Sequence, residues 1–356
     1  MNRRMDARHW MCFAWTVTLL VAGGARADEA DAAGQARRPA SGNSWISLPS
    51  PKAMLDNAIR WSDVHFFHQW KIQEHVDTGE CRLLDEDGKP HITGTYEVCR
   101  AKLESIQREQ DLPRMQGKGV VLLHGLAAPA WSMQLLARHL RKHGGYQTFV
   151  VEYSSLRSTI DDQARSLARV VHSLEGIEEI NMVGHSMGNI VIRRYLAGDN
   201  TPGMGWRPDP RVARIVMIAP PNHGALAAVR LSDNSVFQAV FGESGQQLGA
   251  DWATLEARLA TPATEFGLIA GGWGNKLGLN PFQPGDDDGR ISVETTRLAG
   301  ATDFLVVPAV HELIAHDPRV LGYTLTFLTS GYFVSPTAKH GIPHAPNAAP
   351  PDAGGR

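Results

Sequence analysis

The segment Ile180-Asn181-Met182-Val183-Gly184-His185-Ser186-Met187-Gly188-Asn189-Ile190-Val191 constrains the fold more than any other part of the chain. A short apolar run enters a Gly-x-Ser-x-Gly pentapeptide, and a helix-like stretch as far as Leu196 leaves it. Such a strand–turn–helix holds its serine on a strained turn and needs glycine where a side chain would clash. The helix that follows aims its N-terminal N–H groups and positive dipole end at the serine, where negative charge on an oxygen would be stabilised. Ser186 is therefore the candidate nucleophile.

The chain repeats this strand–helix rhythm on both sides. Val120-Val121-Leu122-Leu123 is an apolar run ended by His124-Gly125, and Trp131 to His139 has a helical pattern. Thr148-Phe149-Val150-Val151 is a second strand, and Ile160, Ala164, Leu167, Val171 and Leu174 mark one helix face. Val212 to Ala219, Phe266 to Ala270 and Phe304 to Val307 complete the strands, with a last helix from Pro318 to Leu328. Strands alternating with helices predict an α/β fold with a doubly wound, mostly parallel sheet over residues 118–334. The stretch 225–265 carries Leu231, Phe237, Phe241, Leu248 and Trp252 without a clear strand. An interval this long needs structure of its own, so it is expected to form a helical cap, with Phe237, Phe241 and Trp252 against the substrate.

Outside that body the chain reads differently. Arg3, Arg4 and Arg8 precede an apolar stretch from Trp10 to Ala22, and Ala25-Arg26-Ala27 supplies small residues for cleavage. Residues 1–27 are thus expected to be a signal peptide, and the protein to be exported to the periplasm or secreted. The apolar stretch is short for a membrane span; an uncleaved anchor is the alternative. Residues 28–44 read as a flexible leader and 335–356, with five prolines, as a disordered tail. In residues 45–117, Leu55, Ile59, Phe66 and Trp70 recur at helical spacing, and a second helical segment is expected around Val98 to Arg108. Export leaves two cysteines, Cys81 and Cys99, and predicts a disulfide between them that closes a polar loop. A formal net charge of -2 without a long basic run argues against a nucleic-acid partner.

A serine hydroxyl needs a base, and the base needs an orienting group. His311 follows the final strand and is the expected base, with His316, nearer the last helix, as its rival. The acid is sought in Gly285-Asp286-Asp287-Asp288-Gly289, where Asp288 precedes a glycine that permits a tight turn. Asp286 and Asp287 are left as solvated loop charges or weak calcium ligands. The Met187 and Leu126 amides are the expected oxyanion donors. His124, His185 and His223 read as structural neighbours of the site. His311 and His316 are five residues apart, a spacing that does not place both on one helix face, so no metal is expected, and a site of Ser186, His311 and Asp288 needs no cofactor.

With these pieces in view, the chain resembles the bacterial lipases and esterases of the α/β-hydrolase superfamily. The resemblance rests on His124-Gly125-Leu126, the Gly184–Gly188 pentapeptide, Pro220-Pro221-Asn222-His223-Gly224, Asp288-Gly289-Arg290-Ile291 and His311. It implies a serine carboxylester hydrolase with Asp288 as acid, a small-molecule or lipid ester as substrate, and transient contact with a lipid surface. An acyltransferase, thioesterase or amidase with the same residues, and a non-catalytic binding protein on this scaffold, are the alternatives. The region with the two cysteines lies outside the shared core.

Overall fold

Leu123 and the three residues before it are wholly buried, as are Met182-Val183 and Ile215 to Ile218. Runs with no polar face belong in the middle of a parallel sheet covered on both sides. In the computed structural model, which describes residues 60–203, 205–225, 243–281 and 283–344, they form that sheet. Its strands are β5 (Gly117–Leu123), β6 (Gln147–Val151), β7 (Ile177–His185), β8 (Val212–Ile218), β9 (Glu265–Gly271) and β10 (Asp303–Val307). The order is β10-β9-β8-β7-β5-β6, every pairing parallel, with β7 and its serine in the interior. This is the predicted architecture.

Helices cover both faces. Tyr96–Glu109 is α1, Gln134–Gly144 is α2, Ile160–Ser173 is α3 and Gly188–Leu196 is α4. The short helices α5 (Trp252–Glu256) and α6 (Val293–Thr296) precede the long α7 (Pro318–Ser330). Their limits follow from local chemistry. Thr159 and Asp162 form a reciprocal capping box at the start of α3, and Asp317 caps α7 with Pro318 in its first turn. Leu136, Ala137 and Leu140 of α2 join Val320, Leu321 and Phe327 of α7 on Val120, Val183 and Val216 of the sheet.

The N-terminal region corrects the helical expectation. Phe66 and Trp70 lie in strands of a four-stranded antiparallel sheet, ordered β1 (Trp61–Phe67), β2 (Trp70–His75), β3 (Cys81–Leu84) and β4 (Pro90–Gly94). Phe67 pairs with Trp70 across a two-residue turn in which His68 adopts a left-handed φ of 51°. Phe66 and Trp70 therefore face opposite sides of the hairpin: Phe66 meets Phe149 of the six-stranded sheet, whereas Trp70 packs with Phe67 on the N-terminal cluster. Among the described residues of this region only α1 matches the helical expectation; it lays Cys99, Leu103 and Ile106 on Val64, Ile72, Cys81 and Leu83.

Cys81 and Cys99 share this cluster as free, buried thiols, and the expected disulfide is not formed. The Cys81 thiol faces the Glu74 carboxylate at 3.9 Å, whereas Cys99 Sγ faces the Ile92 carbonyl at 3.9 Å. Burial, then the Glu74 charge, pushes the Cys81 thiol up to about 12, far from the thiolate that disulfide chemistry needs.

The tail also departs from expectation as far as residue 344. Ile342 exchanges backbone hydrogen bonds with Gly300 and Ala301 at 2.9 and 2.8 Å, and His340 N–H donates to Asp303 Oδ1 at 2.8 Å. The expected signal peptide, the leader, Leu55, Ile59, Phe237 and Phe241 lie outside the described residues. Among the described residues no helix is long and apolar enough to cross a membrane.

Candidate active site

The chain leaves β7 at His185 and turns sharply through Ser186, whose φ of 53° lies in the left-handed region that L-residues avoid. The turn is held by Ser186 N–H donating to Ile218 O at 2.9 Å and by Asn189 Nδ2 donating to Ser186 O and Ile218 O at 3.0 and 3.1 Å. Both glycines of the pentapeptide are required by contact. A Cβ on Gly184 would lie 2.3 Å from Asn189 Oδ1, and one on Gly188 would lie 2.7 Å from His124 O.

His311 arrives from the loop after β10 and reaches the serine from the other side. Its Nε2 lies 2.9 Å from Ser186 Oγ and its Nδ1 lies 2.7 Å from Asp288 Oδ2. An ionised carboxylate only accepts, so Nδ1 carries the proton and Nε2 presents its lone pair to the serine hydroxyl. Asp288 is pinned in turn: its Oδ1 accepts from Ile291 and Arg290 N–H at 2.7 and 3.0 Å, and its carbonyl accepts from His311 N–H at 2.9 Å. Burial would raise the Asp288 pKa, but His311 and the two amides outweigh it and hold the carboxyl below its ordinary value. Gly289, with φ of 98°, makes the turn that aims this side chain inward. His316 has no part in this chain of contacts and lies in a short 3-10 helix, Ile314–His316.

Gly125 packs on the nucleophile, and a Cβ there would lie 3.1 Å from Ser186 Cβ. The loop that follows carries Leu126. Among the described residues neither the Leu126 nor the Met187 amide donates to a backbone acceptor outside a helix or strand. Trp252, expected against the substrate, packs its ring over Gly224 and donates from Nε1 to Glu256 Oε2 at 3.0 Å. His223 also meets Glu256, at 3.2 Å.

Two further residues matter more than their sequence suggested. Asp287 is wholly buried, and its carboxylate accepts from the amides of Leu279, Asn280 and Gly289 at 3.1, 3.0 and 2.6 Å. It folds the loop that presents Asp288, which corrects the reading of a solvated charge. Asp286 does similar work closer to the surface, accepting from Trp273 and Gly274 N–H at 2.7 Å each. His185 donates from Nε2 to His311 O at 3.0 Å, and burial, then the neighbouring His311, lowers its pKa to about 3. It is a neutral strut under the base. Arg290 and Glu312, adjacent to the acid and base loops, form an ion pair across them. Among the described residues no group of three or more His, Cys, Asp or Glu side chains could hold a metal ion.

The sheet order, the strained serine turn and the converging Ser186, His311 and Asp288 define a class of fold, and residues 120–350 match the model of the Alpha/beta hydrolase family. The chain belongs to that family. Similar solved structures include bacterial lipases and esterases at low identity. One is a lipase from Bacillus licheniformis, 19% identical, covering 61% of this chain and 93% of that one with a TM-score of 0.44. A metagenomic carboxyl esterase is 18% identical, covering 55% and 65%, with a TM-score of 0.40. A thermophilic esterase from Thermogutta terrifontis is 14% identical, covering 61% and 92%, with a TM-score of 0.38. No curated protein sequence matches.

Proposed function

We propose that this hydrolase cleaves carboxylic esters through an acyl-enzyme on Ser186. The observation that carries the reading is the unbroken hydrogen-bond chain from Ser186 Oγ through His311 to Asp288. His311 Nε2 takes the hydroxyl proton as Ser186 Oγ bonds to the ester carbonyl carbon, and the carbonyl π electrons move onto oxygen. The Leu126 and Met187 amides stabilise that oxyanion, while Asp288 stabilises the imidazolium. Collapse breaks the bond to the alkoxide, which leaves with the proton from Nε2. Water, deprotonated by the same nitrogen, then attacks the acyl-enzyme, and the released acid restores Ser186.

The test is covalent labelling of the purified protein by a fluorophosphonate, beside a panel of esters of graded chain length with thioester and amide controls. Labelling confined to Ser186 and fastest turnover on esters are expected. Labelling that persists in Ser186→Ala, or a preference for thioester or amide, would overturn the assignment.

A further inference from the structure

The residues after β6 stand between two other parts of the molecule. On one side they meet β1. Glu152 N–H donates to Asp63 Oδ2 at 2.7 Å, Asp63 N–H donates to Glu152 O at 2.8 Å, and Ser154 N–H donates to Ser62 Oγ at 3.1 Å. On the other side the same residues hold the loop 124–130. Glu152 Oε2 accepts from Ala130 N–H at 3.2 Å, and Ser155 Oγ accepts from Ala127 N–H at 3.2 Å. The Tyr153 hydroxyl donates to His124 O, and its ring stacks on the imidazole with centroids 4.2 Å apart and planes 11° off parallel. Leu126 lies between these anchored points. Ala127 beside it holds a φ of 57°, a conformation that persists only when its surroundings impose it.

Glu152 is the centre of this arrangement. Its Oε1 lies 3.3 Å from His124 Nε2, and among the described residues neither of these buried atoms has a hydrogen-bond partner. His124 Nδ1 faces Gly125 O at 2.8 Å, and a carbonyl only accepts, so Nδ1 keeps its proton. Both side chains are buried, so removing one would leave the other's polar atoms away from water. Behind Glu152, Asp63 is wholly buried and is oriented from β2 by Gln73 Nε2 at 2.7 Å and Lys71 Nζ at 3.3 Å.

We propose that Glu152 is a positioning residue for the oxyanion loop and that Asp63 of the N-terminal sheet holds Glu152 in place. The inference rests on reading Leu126 as an oxyanion donor in an ester hydrolase. Glu152 acts through the loop and not on the substrate.

The experiment compares Glu152→Ala, Glu152→Gln, Asp63→Asn and Ser155→Ala in the full chain, using ester kinetics and hydrogen exchange of the segment 120–132. An oxyanion donor is worth about 10²- to 10³-fold in kcat, so displacing one in Glu152→Ala should lower kcat about 10- to 100-fold while KM changes less than about threefold. Glu152→Gln should recover most of that loss, because its amide oxygen can accept from Ala130 N–H while its NH₂ donates to His124 Nε2. Amide exchange in 120–132 should quicken in Glu152→Ala and Asp63→Asn, although Asp63 is remote in sequence. Ser155→Ala, which removes only the hydroxyl holding Ala127, should give the same sign in both readouts. A folded Glu152→Ala with wild-type kcat, a change confined to KM, or unchanged exchange in the loop would overturn the proposal. Wild-type protein that neither labels nor hydrolyses esters would refute the functional reading instead, and the exchange measurement would still decide whether Glu152 and Asp63 hold the loop.

Discussion

The two sheets of this molecule are buried to different depths and hold the site in different ways. The six-stranded sheet is covered on both faces and supplies Ser186 directly from the end of its interior strand. The N-terminal sheet is graded: β1 is buried along almost its whole length, whereas β4 is mostly exposed. Its deep edge is part of the hydrolase body. Phe66 meets the Phe149 ring edge-on at 5.7 Å, its N–H donates to Ser173 Oγ at 2.9 Å, and Ser62 and Asp63 bond to the residues after β6. The difference teaches that an added sheet can be peripheral at one edge and integral at the other.

The largest effect should come from the three converging residues. Ser186→Ala or His311→Ala should reduce kcat by about 10⁴-fold or more, and Asp288→Asn by about 10³- to 10⁴-fold, each with nearly unchanged Tm. By contrast His91→Ala, on the exposed edge of the N-terminal sheet, should leave steady-state ester turnover within about twofold. A comparable loss at both places would erase the distinction between the six-stranded sheet and the outer edge of the N-terminal one.

Next in size is Asp287→Asn. The substitution weakens a buried carboxylate that accepts from three amides, and hydrogen bonds to a charged group contribute about 1.5–3 kcal/mol each. Denaturant unfolding should show a loss of about 2 kcal/mol, with activity per folded molecule largely retained. A variant as stable as the parent but inactive would move Asp287 from loop architecture into the chemistry.

A smaller effect should appear in acid, where each sheet contributes a buried neutral histidine. His185 is lowered from 6.5 to about 3, and His65 of β1 from 6.5 to about 4, in both cases first by burial. As pH falls below 6.5 the unfolded chain gains protons that the folded one refuses, so stability declines. That slope should end near pH 4 for His65 and near pH 3 for His185. Asp63, raised by burial above 3.8, works in the opposite sense, because the folded state takes up its proton first. His65→Gln and His185→Gln should each flatten the Tm–pH profile between pH 6.5 and 4. An unchanged slope in either would show that the histidine is already charged or exposed.

The smallest effect should be that of reduction. Cys81 and Cys99 are free, so a thiol reductant should leave Tm unchanged, and a thiol assay under denaturing conditions should find both reactive. A drop in Tm on reduction would mean that the N-terminal sheet is cross-linked after all.

What could be read from the chain before folding follows the same division. In β5, β7, β8 and β9 a short, mostly apolar run ends at or near a glycine or proline, so burial on both faces leaves a readable pattern. Ser186, Asp288 and His311 could be picked out because each stands where a strand or tight turn ends. The N-terminal hairpin was hidden because Phe66 and Trp70 satisfy helical spacing, and the two-residue turn depends on a left-handed histidine that no glycine announces. Asp287 gave no signal, since three consecutive aspartates look alike until the loop folds around one of them. The link from Asp63 to Glu152 joins positions far apart in the chain, and only the folded contact reveals it.

That link also fixes where the molecule can be divided. The family match begins at residue 120, and a piece opening at Gly117 would retain all six parallel strands with Ser186, Asp288 and His311. It would nevertheless strip the amides of Glu152 and Ser154 of their acceptors and uncover the Phe149 ring. For chimeras, fusions or circular permutants the seam belongs ahead of Trp61, and a junction between α1 and β5 would cut through the inside of the enzyme.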